Sequence, residues 1–262
     1  MMKVFLARLG LSMGLVSIAV SAWALSVSPG RTEIRLAPGK KIAAVITASN
    51  DTPDLLHVKL STKDWFLLDA NKTKNLVIDQ WLKLHGKKEF DLKPGQSRKV
   101  KITARCPKEA EGELVGMVSF LYEKDPPSMV TPIISVSVYV EVAGTEKASG
   151  EIRQVAVQTW NNQIQLAVDL KSTGNVHLRP SGSFTVVDAR GVEVATFPVK
   201  EGAPAYPGRD QGYFAQIPPG FKLASGRYAV KVSLQDRGLA FQAERGFQVL
   251  KDGKIQMDSE KK

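Results

Sequence analysis

The sequence is poor in the residues on which many enzymes and metal proteins depend. Its 262 residues include one cysteine and three histidines. The single cysteine, Cys106, excludes an intrachain disulfide. Its place before Pro107, at the end of an apolar run, favours a small buried hydrophobe over a reactive thiol. The histidines, His57, His85 and His177, are too widely spaced to predict a metal site, and we expect them at the surface or half-buried.

Catalytic motifs are also missing. The sequence contains no G-x-S-x-G, no H-E-x-x-H and no glycine loop of the kind that binds phosphate. Asp64, Asp69 and Asp79 do not have the spacing of a calcium loop, and the lysines among them would repel a cation. We therefore expect a protein that is not an enzyme and that needs no metal or cofactor.

Long apolar runs are confined to the N-terminus. Residues 9–20 are apolar or small, follow Lys3 and Arg8, and lead to the small residues Ala22 and Ala24. This pattern predicts a secretory signal that is cleaved after Ala24. A retained membrane anchor is the alternative, but the apolar run is shorter than the roughly 20 residues of a membrane-spanning helix. No second run of that length follows, so we expect an exported, soluble protein.

Acidic residues are fewer than basic residues. The chain has 36 Lys and Arg against 26 Asp and Glu, and its formal net charge is +10. Export makes nucleic acid an unsuitable partner, and no aromatic and basic platform for stacking bases is visible. We expect contact with an anionic envelope surface or an acidic protein. The alternative is a solvated basic surface with no specific ligand.

Helical periodicity is almost absent after Leu25, and the predicted fold is all-β. Short runs that alternate apolar and polar residues are separated by Pro, Gly, Asn and Asp. The runs of the first half are 32–36, 41–49, 55–63, 89–92, 97–104, 113–123 and 132–142. The runs of the second half are 151–160, 163–171, 183–188, 192–199, 211–217, 227–235 and 239–249. This number of strands predicts two tandem immunoglobulin-like β-sandwich domains.

Composition also predicts where the domains divide. The stretch AGTEKASGE is small, polar and Gly-containing, which is typical of a linker. The predicted division is a signal peptide at 1–24, an N-terminal domain at 25–143, a linker at 144–150, a C-terminal domain at 151–250 and a charged, frayed tail at 251–262.

Aromatic residues are expected to pack within these sandwiches. Tyr228 follows a predicted corner at Gly226 and is a candidate for the tyrosine that hydrogen-bonds back across the corner of such a domain. Trp65, Phe66 and Trp81 flank one polar segment, where packing in the core is favoured over stacking on a ligand.

The segment TPIISVSVYVEV, residues 131–142, alternates most regularly. Ile134, Val136, Val138 and Val140 lie on one face of the predicted strand. That face could fill the protein's own core, or the strand could be offered to another chain. The two interpretations are compatible if one part of the strand packs inside and the rest pairs outward.

Several stretches of the first half carry a resemblance to a known family. They are SVSPGRTEIRLAPGKKIAAVITASNDT, FDLKPGQSRKVKITARCP, GELVGMVSFLY and PPSMVTPIISVSVYVEV. With a signal peptide before them and a second sandwich after them, the chain is similar to the periplasmic pilus-assembly chaperones of the PapD-like type. The resemblance covers most of the mature chain in order and architecture.

The resemblance implies a mode of action. Such chaperones lend the last strand of their first domain to an exported subunit whose sandwich is incomplete, until the subunit is assembled. The implied function is therefore a periplasmic chaperone of exported pilus or other envelope subunits. The residues that would enter the partner are Ile134, Val136, Val138 and Val140.

The family also grips the terminal carboxylate of its subunit, with an arginine in its first strand and a lysine in the last strand of its first domain. The matching positions of this sequence are Glu33 and Val138, so the basic pair is not matched. The nearest basic residues, Arg31 and Arg35, are the candidates for contact with an anion or a carboxylate.

The second half of the chain supports an alternative function. The stretches GNVHLRPSGSFTVVDARGVEVATFPV and YPGRDQGYFAQIPPGFKLASGRYAVKVSL are similar to immunoglobulin-like domains of bacterial cell-surface proteins. The alternative is a secreted structural or adhesive protein that binds envelope polymers or surface proteins. The expected partner is then an envelope component other than a subunit under assembly.

Overall fold

The computed structural model describes residues 25–64, 76–125, 129–161 and 163–258, and its regular structure is almost entirely β-strand. The strands of the first half are β1 Leu25–Ser28, β2 Arg31–Leu36, β3 Lys41–Asn50, β4 Leu55–Asp64, β5 Leu82–Leu84, β6 Glu89–Leu92, β7 Ser97–Arg105, β8 Glu113–Asp125 and β9 Ile133–Val142. The strands of the second half are β10 Gly150–Trp160, β11 Gln163–Ser172, β12 Ser181–Asp188, β13 Glu193–Pro198, β14 Asp210–Phe214, β15 Gly226–Asp236, β16 Leu239–Val249 and β17 Ile255–Met257. A one-turn helix, α1 Ile78–Trp81, precedes β5.

The strands form two sandwiches, each with its own core. In the first half, a four-stranded sheet in the order β1-β3-β7-β5 faces a five-stranded sheet in the order β2-β9-β8-β4-β6, and one apolar cluster lies between them. In the second half, the sheets β10-β11-β14 and β13-β12-β15-β16-β17 enclose a separate cluster. The prediction of an all-β protein with two tandem immunoglobulin-like sandwiches is confirmed.

The predicted strands all coincide with strands of the structure, whereas β1, β5, β17 and α1 were not predicted. These elements have only three or four residues, which is too few for an alternating pattern to stand out. The prediction of a frayed tail is wrong for Ile255–Met257, because β17 pairs with the end of β16. Ile255 and Met257 pack against the core of the second half, and this burial holds the segment in place.

The connection between the sandwiches is tied to the second half. β9 ends at Val142 and β10 begins at Gly150. The Asn175 side chain donates to the Thr145 carbonyl at 2.9 Å and accepts from the Lys147 amide at 2.6 Å. The division into domains on either side of residues 144–150 stays a prediction.

Three sequence predictions about packing can be checked in the cores. Trp81 is 1% exposed and Cys106 is fully buried, so both interpretations as core residues are confirmed. Burial raises the pKa of the Cys106 thiol, which favours the unreactive, protonated form. The Tyr228 hydroxyl donates to the Ala224 carbonyl at 3.0 Å, as the corner predicts. Trp65, Phe66, Asp69 and residues 1–24 lie outside the described residues.

Candidate functional site

Strand β9 has a neighbour along only part of one side. β8 pairs with it antiparallel from Ile133 onward. On the other side, β2 pairs parallel with its second half only, from the partners Arg31 and Ser137 to the partners Leu36 and Val142. Among the described strands, residues 133–136 therefore have no neighbour on that side. We call this segment the open edge of β9.

The backbone groups of the open edge are directed away from β8. The Pro132 carbonyl accepts from the Tyr122 amide of β8 at 3.2 Å, whereas the Ala143 amide donates to Leu36 of β2 at 2.8 Å. Successive residues of a strand point their N–H and C=O groups to opposite sides, so even-numbered residues bond to β8 and odd-numbered ones to β2. Ile133 and Ser135 lie beyond β2 and have no ladder partner in the part of the chain that the structure describes.

Exposed apolar side chains lie at the start of the open edge and just before it. Ile133 is 55% exposed, and the residues just before the strand, Met129 and Val130, are 102% and 70% exposed. An unpaired ladder with exposed apolar side chains beside it is the combination that an added strand requires, since the ladder supplies affinity and the side chains supply selectivity.

The four residues predicted to enter a partner lie on the opposite face of β9. Val136, Val138 and Val140 are fully buried in the core of their own sandwich. Ile134 is half-buried and packs against the same core. Within this chain, the alternation of β9 therefore places these four side chains in or against the protein's own core. Their entry into a partner stays a prediction.

The two predicted anion-contact residues already have carboxylate partners. Arg31 Nε lies 3.0 Å from Glu33 Oε1, and Arg35 Nε lies 3.2 Å from Glu141 Oε1. Arg35 also donates to Glu146, and this hydrogen bond lowers the pKa of Glu146 to about 2. Contact of either arginine with a carboxylate of a partner stays a prediction, and such a carboxylate would have to compete with these glutamates.

A buried polar cluster joins the two sandwiches. We call it the inter-sandwich cluster; its members are Glu113, Tyr139, His177, Arg179 and Tyr206. The hydroxyls of Tyr139 and Tyr206 are 2.8 Å apart. Arg179 Nη2 donates to the Tyr139 hydroxyl at 3.1 Å, and its guanidinium lies 5.3 Å from the centre of the Tyr139 ring. The cluster couples β8 and β9 of the first half to two loops of the second.

Glu113 and His177 form the most deeply buried pair of this cluster. Their side chains are 2% and 4% exposed, and Glu113 Oε1 lies 2.7 Å from His177 Nδ1. Glu113 Oε2 accepts from the His177 amide at 3.2 Å, and His177 Nε2 accepts from Arg179 Nε at 3.2 Å. Since Nε2 is an acceptor, the proton of a neutral imidazole is on Nδ1, where it donates to the carboxylate.

Buried tyrosines predict a delayed alkaline titration. Burial raises the pKa of Tyr206 well above its ordinary value and that of Tyr213 to about 12. Because these pKa values exceed that of about 10 in an unfolded chain, the native state retains protons that the unfolded state releases. The contribution of these tyrosines to the stability of the native state is therefore fully present below about pH 10, and it is lost as the pH rises further. At about pH 11 the tyrosinate absorbance of the native protein should be lower than that of the denatured protein.

The control for this titration is the double variant Tyr206→Phe, Tyr213→Phe. It should lose most of the difference in absorbance between native and denatured protein. Equal absorbance in the two states of the unsubstituted chain, under conditions where it remains folded, would contradict the burial of these hydroxyls.

Comparison with known proteins finds likeness only among solved structures. No family model and no curated protein matches the sequence. The YadV chaperone has a TM-score of 0.46 and 10% identity, over 85% of this chain and 98% of its own. The Salmonella enterica SafB chaperone, solved with the SafA pilin, has a TM-score of 0.45 and 12% identity, over 86% and 98%. The E. coli chaperone DraB has a TM-score of 0.42 and 16% identity, over 84% and 98%.

Sequence reasoning missed the inter-sandwich cluster. His177 was predicted at the surface or half-buried, but it is 3% exposed. Its partner Glu113 is 64 residues away, a distance over which no local pattern operates. One signal was available: Tyr139 is an aromatic residue on the face of β9 that otherwise carries Ser135, Ser137 and Glu141. A large apolar ring on a polar face indicates a contact surface.

The remaining histidines are near the surface. His57 Nδ1 lies 2.7 Å from Asp91 Oδ1, and His85 Nε2 lies 2.8 Å from the Thr103 hydroxyl. Within the described ranges, no group of three His, Cys, Asp or Glu side chains is placed to hold a metal ion. A helix long and apolar enough to cross a membrane is likewise not found among the described residues.

Proposed function

We propose that this protein is a periplasmic chaperone that binds exported pilus-type or other envelope subunits through the open edge of β9. The observation that carries this proposal is the unpaired ladder at Ile133 and Ser135, beside a strand whose second half is already paired with β2. A subunit strand laid there would continue the position of β2 in the sheet. The binding would need no catalysis, because ladder bonds replace water at both partners.

The alternation of β9 supports this proposal in a revised form. Val136, Val138 and Val140 secure β9 in its own core and keep the strand extended. The exposed side chain of Ile133 is then available to contact the subunit from the other face. The core face and the contact face are thus different faces of one strand, as the period of two requires.

Replacing Ser135 with proline tests the open edge. The Ser135 amide points away from β8, so its loss should leave the ladder within the protein intact while it removes a donor to an added strand. Co-purification of exported subunits from the native envelope should fall at least about tenfold, since both a hydrogen bond and close approach are lost. The subunits are quantified by mass spectrometry.

Ser135→Ala is the matched control. It removes the hydroxyl contact with Ser119, at 2.8 Å, which the proline variant also loses, but it keeps the amide. It should retain its subunits, and both variants should melt near the parent temperature. Unchanged recovery of every subunit by a folded Ser135→Pro variant would refute strand addition at this edge. Recovery of an envelope glycan polymer instead of protein would support the adhesive alternative.

A further inference from the structure

A basic surface lies on the other sheet of the first sandwich. β7 buries Val100 and Ile102 and exposes Lys99, Lys101 and Arg105 on its outer face. On the neighbouring strand β3, Lys41 is paired across from Arg105. On β5, Lys83 is paired across from Thr103. We call the outer face that carries Lys41, Lys83, Lys99, Lys101 and Arg105 the basic face.

The basic face has little negative charge of its own. None of its five cations forms an ion pair with another described residue, whereas Lys59, Lys124 and Lys254 elsewhere on the surface each pair with a carboxylate. Asp79 is the one acidic residue among the described residues that line the adjoining groove. Like charges held together without counter-ions repel one another, so this surface is ready to bind an anionic partner.

An open groove of about 580 Å³ runs along the basic face. Lys41, Lys83, Lys101 and Arg105 are among the residues that line it. These are hydrogen-bond donors that suit phosphate oxygens. An apolar side chain accompanies them on the same face, since Val45 is paired across from Lys101 and is 47% exposed.

The arrangement of charge favours a bilayer over an acidic protein. From strand spacings, the basic face extends about 20 Å along β7 and about 10 Å across three strands. Four of its five cations are lysines, which act as flexible point charges and lack the fixed fork with which arginine binds a single carboxylate. Charges spread over an open sheet, with the exposed side chain of Val45 among them, match a broad layer of phosphate headgroups over acyl chains.

We propose that the basic face docks the protein on a bilayer of anionic phospholipid. The chain from Leu25, the predicted mature form, should sediment with vesicles of equal parts phosphatidylethanolamine and phosphatidylglycerol. It should not sediment with vesicles of phosphatidylcholine alone. Each basic residue near such a surface contributes about fivefold in partitioning. The double variant Lys99→Glu, Lys101→Glu should therefore bind at least about twentyfold more weakly.

A charge-matched variant tests the location. Lys222→Glu, Lys251→Glu makes the same change in net charge at two exposed lysines of the second half. It should keep most of the binding, and both variants should melt near the parent temperature. An equal loss in both variants would show that net charge alone drives adsorption and would overturn the assignment. So would failure of the parent chain to bind the anionic vesicles at low salt.

One further outcome would assign the surface to a different partner. Polyglutamate immobilised on beads serves as an acidic polypeptide probe. The parent chain would then bind these beads but not the anionic vesicles, and the double variant Lys99→Glu, Lys101→Glu would abolish the binding to the beads. That result would show that the basic face binds an acidic protein and that the bilayer proposal is wrong. None of these measurements depends on the open edge of β9, so they can fail or succeed independently of the chaperone function.

Discussion

Replacing Val136 with aspartate should prevent the first sandwich from folding. Val136 is fully buried in its core, on the face of β9 that packs against the opposite sheet. An ionised carboxylate without a partner costs several kcal/mol in such a place, and the whole stability of a domain is about 5–15 kcal/mol. Trp81, at 1% exposure in the same core, is a fluorescent reporter whose emission should shift to that of a solvated indole.

Ile133→Asp is the matched control for this prediction. It introduces the same charge on the same strand, three residues earlier, where the side chain is 55% exposed. This variant should fold, with native Trp81 emission. If the two aspartates were equally tolerated, the core face of β9 would be assigned wrongly, because a shift of one residue exchanges the two faces of a strand.

Replacing Glu113 with alanine should destabilise the chain by about 3 kcal/mol. The reason is that the Nδ1–H group and the backbone amide of His177 would both lose their acceptor while they remain buried. Urea unfolding measures the loss. Because Glu113 and His177 lie in different sandwiches, we also expect the unfolding of the two halves to separate.

Two further variants sharpen the test of Glu113. Glu113→Gln keeps one acceptor oxygen for two donors. Its urea midpoint should therefore lie between that of the parent and that of Glu113→Ala. Glu89→Ala removes the surface ion pair with Lys59 and should leave the urea midpoint almost unchanged. A midpoint for Glu113→Ala close to that of Glu89→Ala would contradict a structural role for the buried pair.

β9 contributes both to the open edge and to the contact between the two sandwiches. Its beginning, at Ile133 and Ser135, is the open edge, and its later residues Tyr139 and Glu141 face the second sandwich. Arg237 from the turn between β15 and β16 pairs with Glu141. A strand that is held at one end by such contacts presents its other end with little conformational entropy left to lose, which favours strand addition.

The strands of this protein were predictable because alternation is a local property. The run from Ile134 to Val142 shows which side chains share a face, and burial follows from that face being apolar. The corner at Tyr228 was predictable for the same reason, since its hydrogen bond to Ala224 spans four residues. Short elements such as β5 and β17 have no such pattern and form because a longer strand offers them a ladder.

The sites were less predictable than the strands. Arg31 and Arg35 were identified as basic, but the carboxylate partners of Arg35, Glu141 and Glu146, depend on how β2 and the chain after β9 lie beside one another. The lysines of the basic face look unremarkable in the sequence. They become one surface only when β3, β5 and β7 are placed side by side.

The sequence by itself determined the all-β architecture, the two sandwiches and the core face of β9, because each follows from the period of two along a strand. The tertiary structure alone decided that the pairing of β2 with β9 begins opposite Ser137 and leaves Ile133 and Ser135 unpaired on that side. It also decided that Glu113 meets His177 across 64 residues. These features depend on register and packing between distant segments, where many arrangements satisfy the same local pattern and only the whole fold selects one.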